Sequence, residues 1–143
     1  MVVPSFVKQA LAGQPIEVYG DGTQQRCFCH VEDVVRALAD LMGTEGAHGE
    51  VFNIGATEEI SIMGLGAERV KKIVGSDSEI VTVPYDEAYE AGFEDMPRRI
   101  PDTSKINALL GWEPTHTLDE ILADVVESNR VEDVVASQTT HQA

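Results

Sequence analysis

Apolar residues recur at intervals of three or four in five stretches of the chain, and this spacing predicts five amphipathic helices. The helices are expected over residues 4–11, 33–42, 61–74, 103–110 and 117–129. Asp33, Ser61 and Thr117 are the expected N-caps, because a short polar side chain at that position accepts a backbone N–H. Glu120 completes a capping box with Thr117. Gly111 is expected to close the fourth helix.

The second helix carries a well-defined apolar stripe, which is typical of a helix packed on a core. The stripe consists of Val34, Val35, Leu38, Leu41 and Met42. Trp112 is also expected in the core, because large aromatic side chains bury the most surface.

Four short runs rich in β-branched and aromatic residues predict strands over residues 15–19, 26–31, 50–55 and 79–83. An Asp21-Gly22 turn joins the first two, and residues 85–101 read as an acidic loop. Since strands and helices alternate, the fold class is α/β. Four unevenly spaced strands are few for a complete doubly wound sheet. We therefore expect a small mixed α/β domain over residues 1–129, followed by a frayed polar tail over 130–143.

Acidic residues outnumber basic ones by 25 to 10, which gives a formal net charge of −15. This balance argues against nucleic acid and anionic membranes as partners, because both require a basic surface. No apolar run has the length of a membrane span, and Pro4, Lys8 and Gln9 interrupt any secretory pattern. A cytoplasmic location is therefore expected. Any bound anion must be held by a few local cations.

Cys27 and Cys29 are two positions apart on a predicted strand, so both side chains should lie on one face. We interpret them as packing residues. His30 follows closely, but no second ligand pair with zinc-site spacing accompanies it, so no metal is expected. His30 is interpreted as packing at the entry to the second helix.

Three motifs occur in order along the chain. They are VYGDGTQQRCFCHVED over residues 18–33, EVFNIG over 50–55 and RRIPDTSKINALLGWEP over 98–114. Together they resemble the extended short-chain dehydrogenase/reductase family of NAD-dependent nucleotide-sugar epimerases and dehydratases, and most closely its UDP-glucuronate decarboxylase-like members. The resemblance covers residues 2–128 and implies the fold of the family's C-terminal, substrate-binding part.

The resemblance also implies a binding site for a UDP-sugar or UDP. Arg26 and Arg99 would bind the diphosphate, since a guanidinium suits phosphate oxygens. The alternative is that each pairs with a nearby carboxylate. Tyr19 and Gln25 would lie beside the nucleotide, with strand packing as the alternative for Tyr19. Asp102 would bind the ribose or, as we favour, cap the next helix.

Two aromatic residues of the acidic loop, Tyr85 and Tyr89, each have two interpretations. Each would stack on the base of the nucleotide or simply pin the acidic loop in place. We favour the second interpretation.

Two features of the family are missing from this sequence. It has no glycine-rich dinucleotide fingerprint, and no tyrosine is followed four residues later by lysine, the family's catalytic pair. We therefore expect no catalytic residue and no cofactor in this chain, with NAD implied only for a missing N-terminal Rossmann domain. The segment around Met63 and Gly64 also looks one residue longer than the family helix.

The expected partners follow from the same resemblance. A substrate domain without its cofactor domain would expose apolar contact surface, so we expect a homo-oligomer, such as a dimer, or a complex with a separately encoded cofactor domain. The alternative function is a non-enzymatic interaction or assembly module that no longer uses the ligand site.

Overall fold

The computed structural model describes the backbone over residues 1–88 and 95–139. Helices and short strands alternate, as predicted for an α/β fold. The elements are α1 (Val2–Leu11), β1 (Ile16–Tyr19), β2 (Gln25–Arg26), α2 (Val31–Met42), a 3₁₀ turn (Glu45–Ala47), β3 (Ile60–Ser61), α3 (Ile62–Gly64, Leu65–Val70 and Lys71–Val74 in succession), β4 (Ile80–Val83), α4 (Tyr85–Ala88), α5 (Ser104–Leu110) and α6 (Leu118–Thr139). Tyr89 lies outside the described residues.

The strands form two small sheets. β1 and β4 are parallel, with Ile16 opposite Ile80 and Tyr19 opposite Val83. β2 and β3 are antiparallel. A further parallel bridge joins Gln25 to Arg98, so the segment after residue 95 runs beside β2.

Two strand predictions are wrong. The second strand ends at Arg26 instead of Val31, and residues 50–55 form no strand. A β-prone run becomes a strand only where a neighbour accepts and donates its backbone hydrogen bonds. Within the described residues, no strand lies beside 50–55.

The apolar side chains gather in two clusters. The larger one joins α1, β1, α3 and α6. Its fully buried members include Val7, Ile16, Val18, Leu65 and Val70. The smaller cluster holds Ala37, Ile106 and Trp112, which confirms Trp112 as a core anchor.

The N-terminus of α2 differs from its prediction. His30, and not Asp33, caps the helix, because its Nδ1 accepts the Glu32 N–H at 3.2 Å. Asp33 lies in the first turn and is 1% exposed. Its carboxylate accepts hydrogen bonds from the backbone and side chain of Thr115, from the backbone and ring of His116, and from Arg36. Asp33 therefore joins α2 to the segment before α6.

The predicted core stripe of α2 is largely exposed. Val35 and Leu38 are 57% and 49% exposed, and Met42 is 82% exposed. Val31, one turn before Val35, is 66% exposed. These four residues recur at helical spacing, so they form one apolar face on the outside of the described structure, which we call the α2 face.

Helix α3 begins at the predicted cap, where the Ser61 hydroxyl accepts the Gly64 N–H at 3.0 Å. The helix is π-helical over Leu65–Val70. A π-helical turn takes in an extra residue without breaking the helix. The extra residue near Met63, relative to the family helix, stays a prediction.

The C-terminal predictions are mostly confirmed. Gly111 closes α5 in the left-handed conformation (φ 63°). Thr117 and Glu120 form the capping box, with the Thr117 N–H donating to Glu120 at 2.7 Å. The loop predicted over 85–101 is helical in its first turn, α4. The division into 1–129 and a tail stays a prediction, although the backbone of α6 is helical to Thr139.

Among the described residues, no helix combines the length and apolar character needed to cross a membrane.

Candidate functional site

A cleft of about 460 Å³ opens between α1, the end of β1, β2 and the segment after residue 95. Arg26, Arg99 and Tyr19 all line it. We call it the arginine cleft. Its volume lies in the range of ordinary small-ligand pockets, roughly 300–1,000 Å³.

Backbone pairing brings the two arginines together. The Gln25 N–H donates to the Pro97 carbonyl at 2.8 Å, within the parallel bridge between Gln25 and Arg98. Since Arg26 follows Gln25 and Arg99 follows Arg98, the two side chains reach the same opening. Residues that are far apart in sequence are thereby neighbours at the cleft.

The Arg26 guanidinium is already engaged. It forms an ion pair with Asp95 and donates to the carbonyls of Gln25 at 2.7 Å and Met96 at 2.8 Å. Its side chain is only 12% exposed. For Arg26, therefore, the structure shows the pairing that the sequence left open as the alternative to ligand binding.

Asp95 is held from a second side as well. The Tyr85 hydroxyl donates to Asp95 Oδ2 at 3.1 Å, and Gln24 donates to the Tyr85 oxygen at 2.9 Å. Both Tyr85 and Gln24 line the cleft. Sequence reasoning missed Asp95 because nothing in an acidic loop distinguishes one carboxylate from its neighbours.

Arg99 is in a different state. Its side chain is exposed, and within residues 1–88 and 95–139 it makes no ion pair. The adjacent Arg98 is bound in bidentate fashion by Glu59, at 2.7 and 2.8 Å, and does not line the cleft. In this part of the chain, Arg99 thus offers the cleft a guanidinium that no carboxylate pairs with.

Of the three weaker nucleotide candidates, Tyr19 lines the arginine cleft, whereas Gln25 and Asp102 do not. The Gln25 amide donates to the Thr23 carbonyl at 3.3 Å. Asp102 Oδ1 accepts the Ser104 N–H at 3.0 Å at the start of α5. Hydrogen bonding from the Ser104 side chain, and then from its N–H, lowers the pKa of Asp102. Asp102 therefore contacts the first turn of α5, while Thr103 occupies the N-cap position, and the role of Asp102 stays a prediction.

A second opening of about 440 Å³ adjoins the first and shares Cys27 and Arg99 with it. Cys29, Asn53 and Pro101 also line it. Burial raises the pKa of both thiols, most directly by penalising the thiolate. At neutral pH the cysteines are protonated, so they are poor nucleophiles.

Comparison with known proteins assigns the chain to a protein class. A profile of the family described as GDP-mannose 4,6 dehydratase matches residues 1–125, nearly the whole chain. The protein is therefore a member of the extended short-chain dehydrogenase/reductase class.

Relatives narrow the assignment. The chain is 37% identical over 126 residues to UDP-N-acetyl-alpha-D-glucosaminuronate decarboxylase of Bacillus cytotoxicus, covering 88% of this chain and 39% of that protein. It is 40% identical over 130 residues to UDP-glucuronic acid decarboxylase 6 of Arabidopsis thaliana, covering 91% and 35%. Within its class, the chain belongs to the family of NAD-dependent nucleotide-sugar epimerases and dehydratases. It spans about two fifths or less of the length of these relatives.

Solved structures agree on the fold. UDP-glucose 4-epimerase of Thermotoga maritima with UDP-glucose aligns with a TM-score of 0.78 at 36% identity, over 92% of this chain and 40% of the other. UDP-glucuronic acid 4-epimerase of Bacillus cereus, in complex with UDP-glucuronic acid and NAD, aligns with a TM-score of 0.77 at 28% identity, over 90% and 40%.

Proposed function

We propose that this chain binds the UDP portion of a nucleotide sugar in the arginine cleft, with Arg26 and Arg99 holding the diphosphate. The observation that carries the proposal is the convergence of these two arginines on one opening. A diphosphate offers enough oxygens for two guanidinium groups, each of which can donate two parallel hydrogen bonds. The UDP-sugars named for the relatives agree with this ligand class.

Binding at this site requires an exchange of anions. Glu17 and Asp95 line the cleft together with the two arginines, so the cleft by itself is not strongly positive. The incoming diphosphate takes the place of Asp95 on Arg26, while Arg99 meets it directly. Tyr19, which is 39% exposed at the rim, lies where it can contact the nucleotide.

Two substitutions should change the affinity in opposite directions. Arg26→Ala removes a charged donor, and we expect about tenfold weaker UDP binding. Asp95→Asn removes the competing negative charge, and we expect several-fold tighter binding by the same Coulombic argument. Isothermal titration calorimetry with UDP and with UDP-glucuronate measures both effects.

The double variant separates direct from indirect effects. If Asp95 acts only by competing for Arg26, Asp95→Asn should have little effect in the Arg26→Ala background. Equal binding heats for the wild type and for Arg26→Ala would show that Arg26 does not contribute to UDP binding. Weaker binding by Asp95→Asn would show that Asp95 supports the ligand and does not compete with it.

We further propose that this chain supplies binding and not catalysis. In this family the hydride chemistry belongs to NAD, and the protein positions the cofactor. This sequence contains neither the glycine-rich fingerprint nor a Tyr-x-x-x-Lys pair. Incubation with NAD and UDP-glucuronate should therefore yield neither NADH nor a decarboxylated sugar.

A second candidate function is docking, and the α2 face favours it. Four apolar side chains lie exposed along one side of this helix, and Val51 beside the second cluster is 82% exposed. An apolar face of this kind usually marks a protein contact. We propose that it joins two copies of this chain in solution, with a separately encoded cofactor domain as the competing occupant.

The docking proposal predicts a change in mass. A double variant, Val35→Asp with Leu38→Asp, should shift a dimer to a monomer in gel filtration with light scattering, because two buried charges oppose the contact. Asp40→Lys, on the opposite side of α2, is the matched control and should leave the mass unchanged. A wild-type chain that stays monomeric and gains no partner when a family cofactor domain is added would refute docking.

A further inference from the structure

A pair of stacked imidazoles lies at the N-terminus of α2, apart from both clefts. The ring centroids of His30 and His116 are 4.1 Å apart, with an interplanar angle of 22°. A Glu32 oxygen lies 3.6 Å from His116 Nε2. One donor atom from each of these three residues lies within 4.8 Å of the other two. None of the three lines either cleft.

Existing hydrogen bonds orient both rings. Asp33 Oδ2 lies 3.0 Å from His116 Nδ1, so this nitrogen faces the carboxylate and Nε2 is the nitrogen left for a metal, which would displace any proton it carries. In His30, Nδ1 accepts the Glu32 N–H, and Nε2 lies 3.0 Å from Asp124 Oδ2. Each imidazole thus turns one nitrogen towards a carboxylate.

That pairing is the arrangement proteins use around a bound transition metal. A carboxylate behind the imidazole fixes the ring and raises its basicity as a ligand. Asp33, which is 1% exposed, is held in turn by both donors of Thr115 and by Arg36. The contact that orients the His116 ring therefore comes from a buried carboxylate.

We propose that His30, Glu32 and His116 form a Zn²⁺ site, with the two imidazoles and the Glu32 carboxylate as protein ligands and water in the fourth position. Mixed imidazole and carboxylate donors suit Zn²⁺. Tetrahedral coordination at bond lengths of about 2.1 Å needs donor atoms about 3.3 Å apart, so the side chains must close by about 1.5 Å. Both His30 nitrogens already make a hydrogen bond, Nδ1 with the Glu32 N–H and Nε2 with Asp124, so the ion takes the place of one of these two contacts.

The ion would tie the start of α2 to the segment just before α6. We therefore expect metal-free protein to bind one Zn²⁺ per chain in calorimetry and to unfold at a higher temperature when Zn²⁺ is present, because the ion binds the folded state. Co²⁺ used as a probe should give visible absorption bands on binding. Both Glu32→Gln and His116→Gln should weaken Zn²⁺ binding at least tenfold, whereas His48→Gln, at an exposed histidine outside the cluster, should not.

Three results would overturn the site. Zn²⁺ binding that is unchanged in Glu32→Gln would place the ion elsewhere. Equal binding of Ca²⁺ and Zn²⁺ would indicate general attraction to an acidic surface. No saturable binding would refute the site outright. If His116→Gln fails to fold because it supports Asp33, Glu32→Gln decides, since the Glu32 side chain is 75% exposed.

Discussion

Replacing Asp33 by alanine should lower the free energy of unfolding by about 3 kcal/mol, because several hydrogen bonds to one charged, buried acceptor are lost together. The carboxylate is 1% exposed and accepts hydrogen bonds from Thr115, His116 and Arg36. Burial alone would raise the pKa of Asp33, but hydrogen bonds from His116 and Thr115 lower it far below its ordinary value. Its removal leaves these donors, which are themselves partly exposed, without their common acceptor.

Urea unfolding followed by circular dichroism and by Trp112 fluorescence measures this loss. The matched control is Asp119→Ala, because Asp119 pairs with Arg69 at 2.8 Å on the surface, with its side chain 55% exposed. Such surface pairs contribute about 1 kcal/mol or less. Asp33→Asn keeps the shape but loses the charge, and we expect it to fall between the two. A loss below about 1 kcal/mol in Asp33→Ala would show that water replaces the network at little cost.

The second large effect is expected at Arg99. Arg99→Ala should weaken UDP binding by about 100-fold, because this guanidinium meets the diphosphate without first giving up a carboxylate in the described structure. A charged bidentate contact contributes roughly 1.5–3 kcal/mol. The upper part of that range corresponds to a change of about 100-fold in the dissociation constant.

Arg98→Ala is the control for this measurement. It removes the same charge from the adjacent position, but Arg98 is bound by Glu59 and does not line the arginine cleft. If each arginine acted only by long-range attraction, its removal would weaken UDP binding equally in the two variants. Raising the ionic strength would reduce this long-range contribution to the affinity. Equal losses for Arg98→Ala and Arg99→Ala would therefore contradict a direct contact.

The sequence anticipated those features that depend on local signals. The Thr117–Glu120 capping box and the left-handed Gly111 rest on residues a few positions apart, and the structure contains both. The motifs around Arg26 and Arg99 anticipated two arginines at one opening.

Features that depend on distant partners could not be predicted. Asp33 looked like a cap because its carboxylate precedes an apolar run, but its partners Thr115 and His116 lie at the other end of the chain. Residues 50–55 have strand composition and lack a neighbouring strand in the described structure. Asp95 gains its importance only from the fold, which brings Arg26 and Tyr85 to it.

The π-helical turn in α3 has a consequence for comparing this chain with its homologues. Its hydrogen bonds run from residue i to i+5, so the turn holds one residue more than an α-helical turn. Against a homologue whose helix is α-helical throughout, residues 65–70 therefore call for a one-residue gap. Without that gap, positions after the turn, Arg98 and Arg99 among them, would be compared with residues one step out of register up to the next gap.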